Sequence, residues 1–472
     1  MSGLFGELAN GVKALTAASR SVELAGRNLA NVNNPSYSRQ RVVYGDRGSV
    51  QTGIGVQSLG VEAIGIQQLR DGLLDAQVVR EVSTQASFEA EMAAYQNAQA
   101  DLGQLIDRSG ATSSTGSAGS TNGIAQSLSD FFNSFQSFAA SPTDVGERQT
   151  LVQKASILTD SLNEADQRLV QLQSDLTTQA TGAITDINRI LQNIADLNGQ
   201  IGRVEIGQPG VAVDLRDQRQ SLVEQLSTKM AVETRPDPTQ SGEIQVFARD
   251  ASNNPVQLLN LAKTTGPVTL VGSVVSAGTP ATALSLRGGT LNGVLTARDG
   301  AITTLRTNLD SLSNQLVTSV NATYNPTGLT GNFFNAAGVT AATITIDSTL
   351  NATTLKASDG GAAGDNTLAQ AVANLASRTF TTPADGINGT FGQFYSKTVT
   401  DLGQSITTAS SRLASQSAIT TLVKSQRDSV SGVSLDEEMA DMIKYQRSFQ
   451  ASSRVIQVID DLLNTVVNSL GK

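Results

Sequence analysis

Leu435, Met442, Phe449, Ile456, Leu463 and Leu470 recur every seven residues, and Tyr445, Ser452, Ile459 and Val466 follow the middle four by three. Only a helix under-wound to about 3.5 residues per turn keeps such a stripe straight, so the last stretch of the chain reads as one side of a coiled coil. At about 1.5 Å per residue it would be roughly 50 Å long. Ser434 with Glu437 three residues on reads as a capping box, Asp436 suits the positive end of the dipole, and Gly471 closes the helix. A stripe of this kind needs a partner, and the other end of the chain offers one. Leu4, Leu8, Gly11, Leu15, Ala18, Val22, Ala25 and Leu29 repeat the same four-and-three spacing. Two complementary amphipathic helices enclose everything else. Either they are ordinary helices of a bundle, or the ends pair with each other and with neighbouring subunits.

The composition narrows the chemistry. Charged residues are 16 % of the 472 and the net charge is −9, with no basic stripe, which argues against nucleic acid. There is no Cys and no His. That removes thiol and imidazole catalysis and most zinc, copper, haem and iron–sulfur sites, so no cofactor or metal is expected and the chain is not expected to be an enzyme. The acid groups Asp214/Asp217, Asp436/Glu437/Glu438 and Asp460/Asp461 fall on expected helices, where solvated faces or the helix dipole account for them. Gly288-Gly289-Thr290-Leu291-Asn292-Gly293 lacks the lysine of a phosphate loop and reads as a turn before a helix at 299. Asn321, Asn351 and Asn388 lie in glycosylation sequons, which carry little weight without a secretory leader. No run reaches 18 apolar residues and no cleavable leader is visible, so no membrane insertion is expected and any export would use another route. Basic residues flanking the C-terminal stripe are too few for a membrane-surface helix, being Lys444, Arg447 and Arg454 before Lys472.

Along the chain, Pro35 and the asparagines around it stop the first helix. Val42 to Ile66 reads as a small hairpin and 67–107 as helix. Ser109 to Asn122 is a Ser/Gly/Thr-rich flexible loop. Phe131, Phe132, Phe135 and Phe138 mark a short apolar helix. Leu151, Ala155, Leu158, Leu162, Ala165, Leu169, Leu172 and Leu176 begin the longest periodic run, which continues through Ile201, with Gly182 as a possible interruption. Leu215, Leu222 and Leu226 suggest another helix. Residues 230–286 read as short strands, Ile302 to Thr323 as a helix, and Tyr324 to about Ala384 as a second β-like block that includes Ala342 to Ile346. From Phe391 the chain is helical to its end. The expected fold is therefore mainly α with inserted β-rich parts, in discontinuous nested domains. Residues 1–35 with 435–472 would form a terminal coiled coil. Residues 36–228 with 391–434 would form a long-helix domain with a small hairpin, helix 299–325 packing near it. Residues 229–298 with 326–390 would form a distal β-rich domain.

The stretch Leu29-Ala30-Asn31-Val32-Asn33-Asn34-Pro35-Ser36-Tyr37-Ser38-Arg39-Gln40 resembles a motif shared by the rod, hook and hook-associated axial proteins of the bacterial flagellum. Its Tyr37-Ser38-Arg39-Gln40 ending looks most like the hook-associated protein 1 branch. Ser431-Gly432-Val433-Ser434-Leu435-Asp436-Glu437-Glu438, then Tyr445-Gln446 and Gln450-Ala451-Ser452, resemble that branch's ending. Asp214-Leu215-Arg216-Asp217-Gln218-Arg219 and Gly331-Asn332-Phe333-Phe334 are further islands of likeness. Asn34 and Ser36 depart from the usual Thr and Gly, and the β-rich middle looks short for the family.

The resemblance implies a structural adaptor exported unfolded by the flagellar type III system and assembled at the hook tip as the hook–filament junction. It would be a secreted, extracellular protein. Its implied partners are hook protein, a second junction protein, further copies of itself in a ring, and an export chaperone. The implied assembly residues are Leu4, Leu8, Leu15, Val22 and Leu29 on the first helix. On the last they are Leu435, Met442, Tyr445, Phe449, Ile456, Ile459, Leu463, Val466 and Leu470, a stripe the chaperone would share. Asn31, Asn33, Pro35, Tyr37, Arg39 and Gln40 carry the turn motif. The terminal helices are expected to be disordered until they dock. The alternatives are another axial protein (hook or second junction protein) and a cytoplasmic coiled-coil scaffold.

Overall fold

A computed structural model describes residues 2–46, 48–52, 55–58, 60–102, 123–207, 210–237, 242–328, 331–362 and 364–470. The Ser109–Asn122 loop lies outside them. The chain divides into two compact units. Unit 1 comprises Met1–Gln85, Ile184–Gly289 and Gln416–Lys472, and unit 2 comprises Ala86–Ala183 and Thr290–Ser415.

In unit 1 the first helix, α1, runs Ser2–Ala30. Its end is set by the asparagines after it: the Asn31 side chain donates to the Arg27 carbonyl at 2.9 Å, covering a helix carbonyl that would otherwise be orphaned. The chain then forms β1 (Gln40–Asp46), β2 (Ser49–Thr52), β3 (Gly55–Ser58) and β4 (Val61–Gln68), with β1 antiparallel to β4 and β2 to β3. This is the expected hairpin, built in two tiers. Helix α2 (Gly72–Asp101) follows. Beyond it come α3 (Ile124–Ala140), α4 (Val145–Val204) and α5 (Val213–Lys229).

Strands β5 (Glu233–Pro236), β6 (Ile244–Arg249), β7 (Pro255–Asn260) and β8 (Lys263–Thr264) form one antiparallel sheet in chain order. Strands β9 (Thr269–Val271), β10 (Val274–Ala277) and β11 (Thr282–Ala283) form another, with β10 in the middle. The first sheet is tied to α4 by Asn198, whose amide donates to the carbonyls of Ile244 and Leu261, both at 2.8 Å.

Unit 2 is built on the leucine stripe of α4. Leu151, Ala155, Leu158, Leu162, Ala165, Leu169, Leu172 and Leu176 are all buried, as the four-and-three spacing requires. The helix passes through Gly182 unbroken, because that residue lies on the exposed face with no side chain close to it, where glycine costs about 1 kcal/mol and no more. Helix α6 (Gly289–Ala297) lies against α2, where Asn292 meets Ser87, and leads through a π-helical turn over Arg298–Ile302 into α7 (Thr303–Tyr324), which lies along α4 with Arg306 on Asp166. The glycine-rich 288–293 stretch is therefore the start of a helix and not the turn before one. Gly293 is required there because a β-carbon would run into the Ser87 carbonyl.

The second block read as β-like, Tyr324 to Ala384, carries no strand among its described residues. It contains α8 (Thr367–Asn374) and isolated bridges such as Phe334 to Ile346. Its Asn and Asp side chains bind nearby backbone N–H groups, as Asn351 does for Thr353 at 2.9 Å and Asp347 for Thr349 at 2.9 Å, so turns displace ladders. The segment wraps an aromatic core. Phe333 lies edge-on to Phe131 and Tyr324, with ring centroids 5.7 and 5.5 Å away, and beside Phe135 at 5.1 Å. Asn321 holds this core in place, accepting from the Phe333 and Phe334 N–H groups at 3.0 and 2.9 Å and donating to the Phe334 carbonyl. That sequon asparagine is a structural clasp. The chain closes with α9 (Phe391–Ser431) and α10 (Leu435–Leu470).

Candidate assembly interface

Helices α1 and α10 pack antiparallel within unit 1. Asn28 reaches Glu438 near the start of α10, and Gly11 sits under Ile456, whose Cγ1 would lie 3.0 Å from a β-carbon added there. The small residues Gly11, Ala18 and Ala25 are buried and let the two helices approach, while Leu8, Leu15, Val22 and Leu29 flank them half-covered. On α10, Ile459 is buried and Met442, Tyr445, Ser452, Ile456, Leu463 and Val466 are half-buried. The stripe is thus the face turned to α1. Two members depart: Leu435 is 48 % exposed and Phe449 39 %. Leu435 is the first residue of the helix, and the inward position of that turn is taken by Glu438. Nothing is described for the side chains of Leu4 and Leu470.

The pair is locked at one end by a polar hub built on the turn motif. Asn28 is 2 % exposed and uses all of its bonding capacity. Its amide donates to the Gln40 carbonyl at 2.9 Å and to Glu438 Oε2 at 3.0 Å, and its oxygen accepts from the Gln40 N–H at 3.1 Å and the Tyr37 hydroxyl at 2.8 Å. Arg39 adds three carboxylates: Nε to Glu438 at 2.6 Å, Nη1 to Glu437 at 2.6 Å and Nη2 to Asp441 at 3.4 Å. Its own N–H donates to the Ser431 carbonyl, the last residue of α9, at 2.8 Å. One residue therefore grips both sides of the break between α9 and α10. Burial alone would lower the Arg39 guanidinium, but Glu438 and Glu437 outweigh it and hold it above its ordinary value. Burial, reinforced by Asp214, Asp217 and Glu438, drives the Tyr37 phenol well above its usual range, so it stays a neutral donor.

The hub extends to α5. The Ser38 N–H donates to Asp217 at 3.4 Å, Gln40 Nε2 to Asp214 at 3.2 Å, and Arg70 bridges Asp217 at 2.7 Å and Asp75 at 3.0 Å. Asp217 and Glu438 are 6 % and 3 % exposed, which corrects the expectation that their acid groups lie on solvated faces. Burial raises Asp217 above the ordinary carboxylate range even though Arg70 pulls it down. Glu437 is held by Arg39, so its carboxylate serves the hub as well as the first turn. Asn33 and Pro35 are exposed at the tip of the turn and take no part in the hub. Sequence reasoning missed Asn28 and Arg70. One signal was readable: Glu438 lies three residues after Leu435, in the seam of the first heptad, where a carboxylate requires a partner.

A second apolar seam on this pair is uncovered. On α10, Val455, Val458 and Leu462 are exposed by more than half, one step round from the paired stripe. On α1, Phe5 is 58 % and Val12 47 % exposed. Exposed apolar rows at helical spacing on a packed helix pair mark a surface that has further contacts to make.

The family model described as the helical domain of flagellar hook-associated protein FlgK matches residues 114–334. That described as the C-terminal region of flagellar basal body rod FlgEFG proteins matches 424–470, which is α10 and the end of α9. Flagellar hook-associated protein 1 of Bacillus subtilis (strain 168) is 25 % identical over 532 aligned positions, covering 100 % of this chain and 99 % of that one. Over its whole length the chain is therefore similar to flagellar hook-associated protein 1. The Escherichia coli (strain K12) protein of that name is 23 % identical, over 97 % of this chain and 98 % of its own. The solved hook junction protein FlgK of Burkholderia pseudomallei is 23 % identical, with a TM-score of 0.44 over 53 % of this chain and 43 % of that one. Because 532 aligned positions exceed the 472 residues here, the Bacillus family member carries residues that this chain lacks. Among the described residues no helix is long and apolar enough to cross a membrane, and no three or more acidic side chains converge as a metal site.

Proposed function

We propose that this chain is a structural adaptor of the bacterial flagellum, exported by the flagellar type III system and built in at the hook tip as the hook–filament junction. The observation that carries the reading is the antiparallel α1–α10 pair, clamped by Arg39 and Asn28 and still presenting an uncovered apolar seam, in a chain similar over its whole length to flagellar hook-associated protein 1. Leu8, Leu15, Val22 and Leu29 with Met442, Tyr445, Ile456, Ile459, Leu463 and Val466 form the pair. Asn31, Tyr37, Arg39 and Gln40 fix its position, and the rest of the stripe, Leu4, Leu435, Phe449 and Leu470, belongs to the same assembly element. Residues 1–35 with 435–472 act as that element. Hook protein lies on one side and a second junction protein on the other, with further copies of this chain around the axis. Before export the α10 stripe is held by a chaperone. The protein works by binding alone, in the extracellular flagellum, and no catalytic step or cofactor enters.

Deleting the gene tests this. Electron microscopy of the deletion strain should show hooks of normal form without filaments, restored by the gene in trans, with the protein labelled at hook tips. Filaments in normal number on the deletion strain would refute the junction role.

A further inference from the structure

On the side of α1 away from α10, a groove of about 320 Å³ opens between α1 and the β4 strand. Leu24, Val42, Ile64, Ile66 and Val211 give it an apolar floor and wall, and Ile64 remains 66 % exposed. Arg20 and Arg27 stand at its two ends along α1. Among the described residues Arg20 reaches the Ala63 carbonyl, at 3.3 Å, and Arg27 meets Glu23 at 2.6 Å on the open surface, where such pairs are weak. Seven residues separate the two arginines, about 10 Å of helix.

The uncovered seam of α10 has the matching length and carries acidic residues beside it. Val455, Val458 and Leu462 span the same seven residues, and Asp460 and Asp461 lie exposed beside them. We propose that the α1–β4 groove of one copy receives the 455–462 seam of a second copy, with Asp461 set against Arg20. This rests on the reading of the chain as a self-assembling axial protein and specifies which two faces meet. The faces are different patches, so the contact is head-to-tail. Each docked copy leaves its own groove free for the next, and the product is a ring or a helical array and not a two-fold dimer. Each single contact is small, which keeps free copies apart until the growing end supplies several at once.

The absence of cysteine makes the test direct. Full-length chains carrying Ile64→Cys and Val458→Cys together would be expressed in place of the native gene and oxidised in isolated flagella. The proposal expects ladders of disulfide-linked multimers from the double variant and none from either single variant. In parallel, Arg20→Asp and Asp461→Arg should each lower filament number at least about tenfold, and the two together should restore most of it. Circular dichroism melts matching the native chain establish that each variant folds. No multimers and no rescue, with the protein still labelled at hook tips, would overturn this pairing and leave the junction role standing. Absence of the native protein from hook tips would overturn both.

Discussion

Replacing Asn28 by Ala removes the centre of the hub without touching either apolar stripe. Four hydrogen bonds disappear, two through the amide and two at its oxygen. Three involve neutral partners and contribute about 1 kcal/mol each, and the one to Glu438 about 1.5–3 kcal/mol because its acceptor is charged. Arg39 still holds Glu438, so part of that last term survives. The expected loss is about 3–4 kcal/mol, large against the stability of a single domain. Urea denaturation followed by circular dichroism would measure it, with Asn33→Ala, at the exposed tip of the same turn, as the control expected within about 0.5 kcal/mol. The loss should also free the start of α10, so amides of 435–445 should exchange faster. A loss below about 1 kcal/mol, or equal effects of Asn28→Ala and Asn33→Ala, would refute the claim that this asparagine anchors the terminal pair.

Other expectations follow from the same structure. Gly11→Leu forces a side chain against Ile456 and should weaken the α1–α10 pair by about 1–3 kcal/mol, read in isolated flagella, where the pair is protected, as faster exchange across 449–463. Phe333→Ala, inside the aromatic core of unit 2 at 0 % exposure, should cost about 3–5 kcal/mol, read as a lowered Tm by calorimetry. Glu205 is buried against Arg216 at 2.8 and 2.6 Å; burial alone would raise its carboxyl, but Arg216 and the Gly210 and Ala212 N–H groups hold it below its ordinary 4.5. Its stabilisation is therefore complete above pH 4.5 and is lost as the pH falls through the lower folded value. Glu205→Gln should destabilise by about 2–3 kcal/mol at pH 7 and flatten the acid limb of the pH–stability curve.

Most of the helical architecture was legible because burial in a helix leaves a periodic trace. The α4 leucines and the α1 and α10 stripes show this, since each faces the partner its spacing demanded. The second β-like block was misread for a local reason. Thr and Ile around 342–346 favour strands, but Asn335, Asp347 and Asn351 bind the backbone first and fold it into turns over the phenylalanines. The hub was only half legible. Its turn motif is contiguous in sequence, but the side chains that give the turn its purpose, Asn28, Arg70, Asp217 and Glu438, come from four separate segments. A buried acid and a solvated acid look alike in a helix until the opposing guanidinium is placed. The hinge grip of Arg39, through its N–H to Ser431 and its side chain to Glu437 and Glu438, has no one-dimensional trace.

If the terminal pair is the element that assembles, its protection must change when the flagellum forms. Amide hydrogen exchange would be followed on the free full-length chain and on the same chain in isolated flagella. The expected result is rapid exchange over 5–16 and 451–467 in the free chain and strong protection of both in flagella, while the leucine run of α4, 151–176, is protected equally in the two. Equal, full protection of both termini in the free chain and in flagella would mean that the helices already form a finished private coiled coil, and would contradict the assembly role given to them.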